Sequence, residues 1–593
     1  MPGTVAQIRD LFSPKTHLAG EITRLYETFR NQRQSFDAEQ TELRNYIFAT
    51  STKSTTNADL PWRNSTHDPK LTQLRDNLHA NYMAALIPND DWVKWQGDSE
   101  QDDAKAEAIE AYLKNKTRAG DFEETLSRLV YDYIDTGNAF AEVEWVEELK
   151  EMNGELIQGY VGPRLCRISM SDIYINPVAE SFKRTPKITR QLLLVGELAS
   201  LMEEQPGLKY IKEAFMEADK HRNNLRGSLT QDDWKKVEAY QMDGFGNISE
   251  YYQSPYVELL HLEGDIYDTE NGVLLKDHVI TVMDRQFVIR KEPMQTWLPK
   301  GTKEHVGWRL RPDNLYAQGP LHNLVGMQYR IDHLENIKAD VFDLIAFPPL
   351  KIRGEVEAFE WAPFAEIHLD EGDQDVEMLT PDTAALNADM QIRILEDKME
   401  LYAGAPREAM GVRTPGEKTA FEVQTLNQAS ERIFFEKVLN FEKNFLEPLL
   451  NSMLEVAKRN MSAQEIIRIQ DDDIGAEIFN SITKDDITGR GKIRPMGARH
   501  FATQRQLVQN ITGIFNTPAG ELIAPHVSGK ALAKMIEDAF GVERFGLIRD
   551  NIAVVEQMET QRMLQQAQQM LGEEQMVDVE GVEEVPGAEE GPI

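Results

Sequence analysis

The 593-residue chain carries 64 Lys and Arg against 99 Asp and Glu, a formal charge of −35, so it does not grip nucleic acid through a generally basic surface and any such contact is local or weak. With 41% hydrophobic residues it has material for several folded cores, which separates it from acidic disordered chains. Its single cysteine, Cys166, excludes an intrachain disulfide framework and a Cys-rich zinc or iron–sulfur site, and the lack of a secretory signal or a long apolar run leads us to expect an intracellular, non-membrane protein.

Apolar residues at spacings of three and four predict the first helices. They are Ile22, Leu25, Tyr26, Phe29, Leu43 and Ile47 within 18–48, and Leu71, Leu74, Leu78, Tyr82 and Leu86 before Pro88. A third run, Phe122, Leu126, Leu129, Val130, Tyr133 and Ile134, should end in a left-handed cap at Gly137. Residues 53–69, rich in Thr, Asn, Asp and Pro, read as a polar loop, and 98–103 as an acidic one. Period-two alternation then predicts strands at 139–146, 191–195, 237–241 and 257–262, and a pair at 279–283 and 286–290 hinged at Asp284-Arg285. Residues 1–318 are expected to form an α+β region.

Beyond Gly319-Pro320, Leu321, Leu324, Val325, Ile331, Leu334, Ile337, Val341, Phe342 and Ile345 mark a helix of about seven turns, ended by Pro348-Pro349. A β-like excursion over 348–383 separates it from a second helix at 384–402, and a loop rich in Gly and Pro covers 403–418. The longest helical pattern spans 419–460. Within it Pro448 lacks an N–H and collides with the carbonyl of Asn444, so a kink is expected at Asn444 to Glu447. Strand-like pieces between Asp473 and Ile493 and three helical stretches fill 461–571. Residues 572–593, with eight acids and no Lys or Arg, read as a disordered acidic tail.

Motifs for chemistry fail one by one. Gly411-Val-Arg-Thr-Pro-Gly416-Glu-Lys418-Thr419 is not a phosphate loop, because Glu417 stands where Lys must follow the second glycine. Gly489-Arg-Gly491 lacks the third glycine of a dinucleotide fingerprint, since Arg494 occupies that place. Asp471-Asp-Asp473 points adjacent carboxylates different ways and reads as a solvated turn rather than a Mg²⁺ site. The 12 histidines include no His-x-x-x-His pair, no Gly-x-Ser-x-Gly elbow occurs, and Cys166, between Arg164 and Arg167, reads as a small residue in a strand. No catalytic residue, metal ligand or cofactor is assigned. The basic cluster Arg490, Lys492, Arg494, Arg499, His500 and Arg505 suits either phosphate contact or ion pairing between subunits.

The order long helix, β excursion, helix, Gly/Pro loop and very long kinked helix resembles the portal proteins, the head-to-tail connectors of tailed bacteriophages, of the short-tailed type. The resemblance rests on Gly319-Pro-Leu-His-Asn-Leu-Val-Gly-Met-Gln-Tyr-Arg-Ile-Asp-His-Leu-Glu-Asn, on Glu417-Lys-Thr-Ala-Phe-Glu-Val through Phe445-Leu-Glu-Pro-Leu-Leu, and on Arg167-Ile-Ser-Met-Ser-Asp-Ile-Tyr-Ile-Asn-Pro177. It covers about residues 20 to 515.

The resemblance implies an α+β, predominantly helical portal fold with wing, stem, clip and crown regions, assembling as a non-enzymatic dodecameric ring. It places the wing at 1–318, stem helices at 319–347 and 384–402, the clip at 348–383, the channel loop at 403–418, and a kinked wing helix at 419–460 marked by Asn444 and Pro448. Residues 461–571 would complete the wing and build a helical crown or barrel. The implied site is one vertex of the capsid in the virion, after assembly in the host cytoplasm. The implied partners are further copies of the chain, weakly and non-specifically held double-stranded DNA, the packaging terminase, a tail adaptor, and the major capsid and scaffolding proteins, with no membrane. By that mapping Arg407, Arg413 and Lys418 are candidate channel-loop contacts to DNA, a pattern that solvated loop charge fits equally, and Trp361, Pro363 and Phe364 are a candidate clip interface. Competing readings are a metal-dependent nuclease or ATPase subunit of the packaging machinery, and a passive virion scaffold. Twelve helices spaced by about 10 Å would enclose a bore of roughly 28 Å, wide enough for a duplex.

Overall fold

The computed structural model describes residues 14–48, 64–87, 92–152, 155–204, 209–228, 254–298, 301–353, 375–379, 383–403, 433–461, 464–470 and 477–496. The chain is mixed α/β. It divides into two units, residues 1–468 with 479–499, and 469–478 with 500–593. Apart from the inner ends of one hairpin, the described elements belong to the first unit.

Helices α1 (His17–Phe48) and α2 (Lys70–Leu86) open the fold and carry the apolar spacings seen in the sequence. After β1 (Val93–Gly97), residues read as an acidic loop form a one-turn helix, α3 (Glu100–Asp103), because the Ser99 side chain accepts from the Asp102 amide and three acids sit at its positive end. Helices α4 (Ala106–Ala119) and α5 (Phe122–Asp135) follow, and Gly137, at φ 74°, takes the left-handed position just past α5, as expected. The antiparallel hairpin β2 (Asn138–Met152) and β3 (Glu155–Ile168) comes next, then β4 (Ile173–Ile175), β5 (Lys187–Leu194), α6 (Val195–Glu204) and α7 (Lys212–Ser228). Strands β6 (Tyr256–Asp268), β7 (Val273–Met283) and β8 (Phe287–Pro293) complete a five-stranded antiparallel sheet ordered β4-β5-β6-β7-β8. The strand expected at 237–241 lies outside the described residues.

Strand alternation divides the faces of this sheet between two helical layers. Leu260, Leu262, Ile280 and Val282 pack on α1 through Leu18, Ile22, Tyr26 and Phe29, whereas Val257, Leu259, Met283, Phe287 and Ile289 pack on Leu198, Met202 and Ala218. At the β7–β8 turn both Asp284 (φ 50°) and Arg285 (φ 61°) adopt left-handed backbone without being glycine. Buried charge holds them there: Arg285 donates twice to Glu258, at 2.7 and 3.0 Å, and Arg222 donates to Asp284 at 3.2 Å.

Strand β9 (Glu304–Gly307) adds to β2, giving the sheet β3-β2-β9, and β10 (Arg309–Arg311) pairs with β11 (Asn314–Gln318). A 3-10 turn, His322–Leu324, leads into α8 (Val325–Ala346), which ends one residue before Phe347 and the two prolines. The ribbon β12 (Leu350–Arg353) with β13 (Asp375–Met378) separates α8 from α9 (Asp389–Ala403), which a 3-10 turn at Thr383–Ala388 precedes.

Helical residues 433–441 run through a π turn, Glu442–Leu446, into α10 (Glu447–Asn460). The departure from α geometry falls where the kink was expected. The Glu447 amide reaches back five residues to Glu442, and Pro448, whose ring would crowd the Asn444 carbonyl in a continuous α-helix, takes the second position of the following segment. The remaining part of the expected helix, 419–432, lies outside the described residues. Strands β14 (Gln464–Gln470) and β15 (Glu477–Thr483) pair, α11 (Lys484–Ile487) carries a capping box from Thr483, and β16 (Gly491–Pro495) pairs antiparallel with β1.

Candidate functional site

Helices α8 and α9 form an antiparallel pair. Lys338, in the second half of α8, bonds Asp389 at the start of α9 at 2.7 Å, while Glu400 near the end of α9 bonds Lys70 at 2.6 Å, next to Leu71, whose amide meets Gln328 near the start of α8. Helix α9, about 22 Å long, thus lies beside the first two-thirds of α8, and the β12–β13 ribbon lies beyond the C-terminal end of α8.

Along α8 the apolar side chains are buried near the start and uncovered toward the C-terminal end, whereas α9 carries uncovered ones near both of its ends. Leu324 and Ile331 are buried, whereas Phe342, Leu344, Ile345 and Phe347 are exposed, Phe347 by 73%. Met390, at 72%, Ile394, Leu401 and Tyr402 on α9 are exposed too, as are Ile352 and Met378 on the ribbon. The periodicity marks the helix, but the side chains of α8 that this chain buries are mostly polar, Gln328, Asp332 and Asn336 beside Ile331. A cluster of large uncovered apolar side chains is the physical signature of an association surface.

Residues 64–71, read as loop and helix start, lie along α8. Gln328, Asp332, Asn336 and Asp340 recur every four residues on one stripe of the helix, and in that order they meet Leu71, Asp68 with His67, Thr66 and Asn64. The stripe's spacing was present in the sequence; the identity of the segment it holds was not.

The basic cluster is divided by its strand. Arg490, Lys492 and Arg494 are exposed and Ile493 and Pro495 are buried, so the alternation of β16 turns the cations outward. The register sets Arg494 opposite Lys94 and Lys492 opposite Gln96. Asn451 anchors the strand by accepting from the Ile493 amide at 2.9 Å and donating to its carbonyl at 3.1 Å. Carboxylates stand close by: Glu110 lies 3.6 Å from Lys94, and Asp102 accepts from the Arg490 amide. Gly491 is needed for strand approach, since a Cβ there would fall 2.3 Å from the Gln96 carbonyl. Arg499, His500 and Arg505 lie outside the described residues, as do Arg407, Arg413 and Lys418, Trp361, Pro363 and Phe364, and the Asp471–473 run.

A polar cluster that the sequence did not signal joins the two sheets. Glu142 and Glu144 project from the same face of β2, and Lys303, 4% exposed at its side chain, bonds Glu142 at 2.9 Å and also Glu263 of β6. Glu144 is exposed, and the repulsion of Glu142 beside it raises its carboxyl above the ordinary carboxylate range. Burial, together with Glu144 and Glu142, pushes the Cys166 thiol up to about 12, so it stays protonated and unreactive at neutral pH, in keeping with a strand residue. Burial likewise lowers His261 and His305 to about 3, which keeps both neutral.

Among the described residues no group of three His, Cys, Asp or Glu is arranged to hold a metal ion, and no helix is long and apolar enough to cross a membrane. Compared with known proteins, the chain matches no family model and no curated protein sequence.

Proposed function

We propose that the chain is the subunit of a portal-type ring, non-enzymatic, that conducts double-stranded DNA through one capsid vertex of a tailed bacteriophage. The observation that carries this reading is the α8–α9 pair, on which Phe342, Ile345, Met390 and Leu401 are left uncovered by the chain itself and are suited to neighbouring copies packed around an axis. Support also comes from element order. The helix ending at Ala346, the ribbon 350–353 with 375–378 and the helix from Asp389 fall where the resemblance calls for stem, clip and stem.

In this reading copies of α8 and α9 stand side by side as a dodecameric fence around a bore of roughly 28 Å, and a separate terminase drives DNA through it. A dominantly acidic wall keeps phosphates loosely held, because each tight Lys or Arg contact would release counterions and slow sliding. The ribbon end of the pair would face the terminase and later the tail adaptor, and the outer surface would meet capsid and scaffolding proteins.

Electron micrographs of the purified protein test the proposal. A ring with an open, duplex-wide centre is expected; a monomer, or an assembly closed on its axis, overturns it. Assays for ATP hydrolysis and Mg²⁺-dependent cleavage test the alternative of a packaging enzyme.

A further inference from the structure

We propose that residues 64–71 form a pH-sensitive latch on α8, closed by a doubly protonated His67 and released as the pH rises. The inference rests on the geometry of this segment and holds whether or not the chain assembles into a ring.

The segment runs antiparallel to α8 and exchanges hydrogen bonds with it at every helical turn. Asp340 accepts from the Asn64 amide at 2.9 Å and from its side chain at 2.7 Å, Asn336 accepts from the Thr66 amide at 2.8 Å and donates to its carbonyl at 2.9 Å, and Asp332 accepts from the Asp68 amide at 3.0 Å. At its end Gln328 accepts from the Leu71 amide at 3.2 Å. The same stretch reaches other elements, since Lys70 bonds Glu400 of α9 and His67 meets the Tyr46 carbonyl of α1. Closure therefore ties α1 and α9 to α8.

His67 sits at the middle of this seam, with its side chain 2% exposed. Its Nδ1 lies 2.7 Å from an Asp332 carboxylate oxygen, and its Nε2 lies 2.9 Å from the Tyr46 carbonyl oxygen. Neither partner has a proton to give. A neutral imidazole carries one N–H and would leave the other nitrogen's lone pair facing an acceptor, so only the imidazolium satisfies both contacts. The charged groups facing His67 are Asp332 from α8 and Asp68 from its own segment; from α1 it meets the Tyr46 carbonyl and ring, and nearby Lys70 is engaged by Glu400 and Gln73. Burial works against the cation, but the bond and charge of Asp332, the Tyr46 carbonyl and the charge of Asp68 outweigh it and leave the imidazole above its ordinary value of 6.5.

A raised value in the closed state fixes the sign. The stabilisation is complete below about 6.5, where the imidazole is protonated open or closed, and is lost as the pH climbs through the raised closed-state value. Deprotonation then removes one hydrogen bond and leaves the Asp332 carboxylate, 1% exposed, without its counter-charge.

Hydrogen exchange on the full chain, corrected for the intrinsic rate at each pH, tests this through the amides of Thr66, Asp68 and Leu71. The opening constant of the peptide over 64–71 should rise above about 6.5, by no more than about tenfold per pH unit because one proton is involved, and then level off, while strand β6 stays constant. His67→Gln, which keeps one donor and cannot titrate, should abolish that pH dependence. Asp332→Asn should move the transition to lower pH. Exchange over 64–71 that tracks β6 at every pH, a pH response that persists in His67→Gln, or a transition unmoved in Asp332→Asn overturns the proposal.

Discussion

Gly137 and Gly319 meet backbone to backbone: a Cβ on Gly137 would stand 2.2 Å from the Gly319 amide nitrogen, and a Cβ on Gly319 would stand 2.6 Å from the Ile134 carbonyl oxygen. The end of α5 and the entry to α8 are thereby joined with no side chain between them. Gly137 also needs its left-handed backbone, at φ 74°. Replacing Gly319 with Ala should cost about 2 kcal/mol or more through overpacking, and Gly137→Ala more still because strain is added. Denaturant unfolding of each variant measures this, and values within error of the parent chain would show that the junction yields.

The uncovered apolar side chains yield a prediction with the opposite balance. Phe342→Asp, Ile345→Asp and Met390→Asp together should abolish self-association while leaving the unfolding midpoint of the isolated chain unchanged, because these positions are more than half exposed or nearly so in the single chain. Sedimentation velocity reports the assembly state. Full-size assemblies in the triple variant would remove these positions from the interface.

Glu144 gives a pH dependence that can be read in the whole chain. Its carboxyl is held above an ordinary 4.5 chiefly by the repulsion of Glu142, an effect that solvent at this exposed side chain weakens, so the native state keeps a proton that the unfolded chain gives up. Stability from this site therefore falls, by a small amount, as the pH rises from about 4.5 through the raised value. Glu144→Gln should raise the melting temperature at pH 8, and the gain should vanish below pH 4.5; a gain independent of pH would assign it to another cause.

For the exposed cations of β16, Lys492→Gln with Arg494→Gln separates the two uses weighed for them. Phosphate contact predicts weaker duplex binding and a salt dependence shallower by about 2 per engaged subunit, with assembly intact. Pairing between subunits predicts unchanged salt dependence and weaker assembly, read by fluorescence anisotropy and sedimentation on the same preparations.

The local features of this fold were legible from the residues. Ile22, Tyr26 and Phe29 share a helical face wherever the helix docks, Gly137 ends α5 because few other residues adopt its backbone, and Pro448 disrupts an α-helix in any setting. The same holds for Val257 and Leu259 against Leu260 and Leu262, whose alternation divides them between two faces before either face has a partner.

Cover and partnership were decided only in three dimensions. Phe342 and Ile345 follow the same period as buried Ile331, yet nothing in that period tells which turns meet a core. Residues 64–71 carry the composition of a loop, and they become a seam because Gln328, Asp332, Asn336 and Asp340 arrive beside them from more than 250 residues away. Backbone sterics and side-chain period act over a few residues and are written in order along the chain. Closing loops of such lengths costs nearly the same entropy for many pairings, so the choice among them falls to the complementarity of surfaces that exist only once the chain has folded.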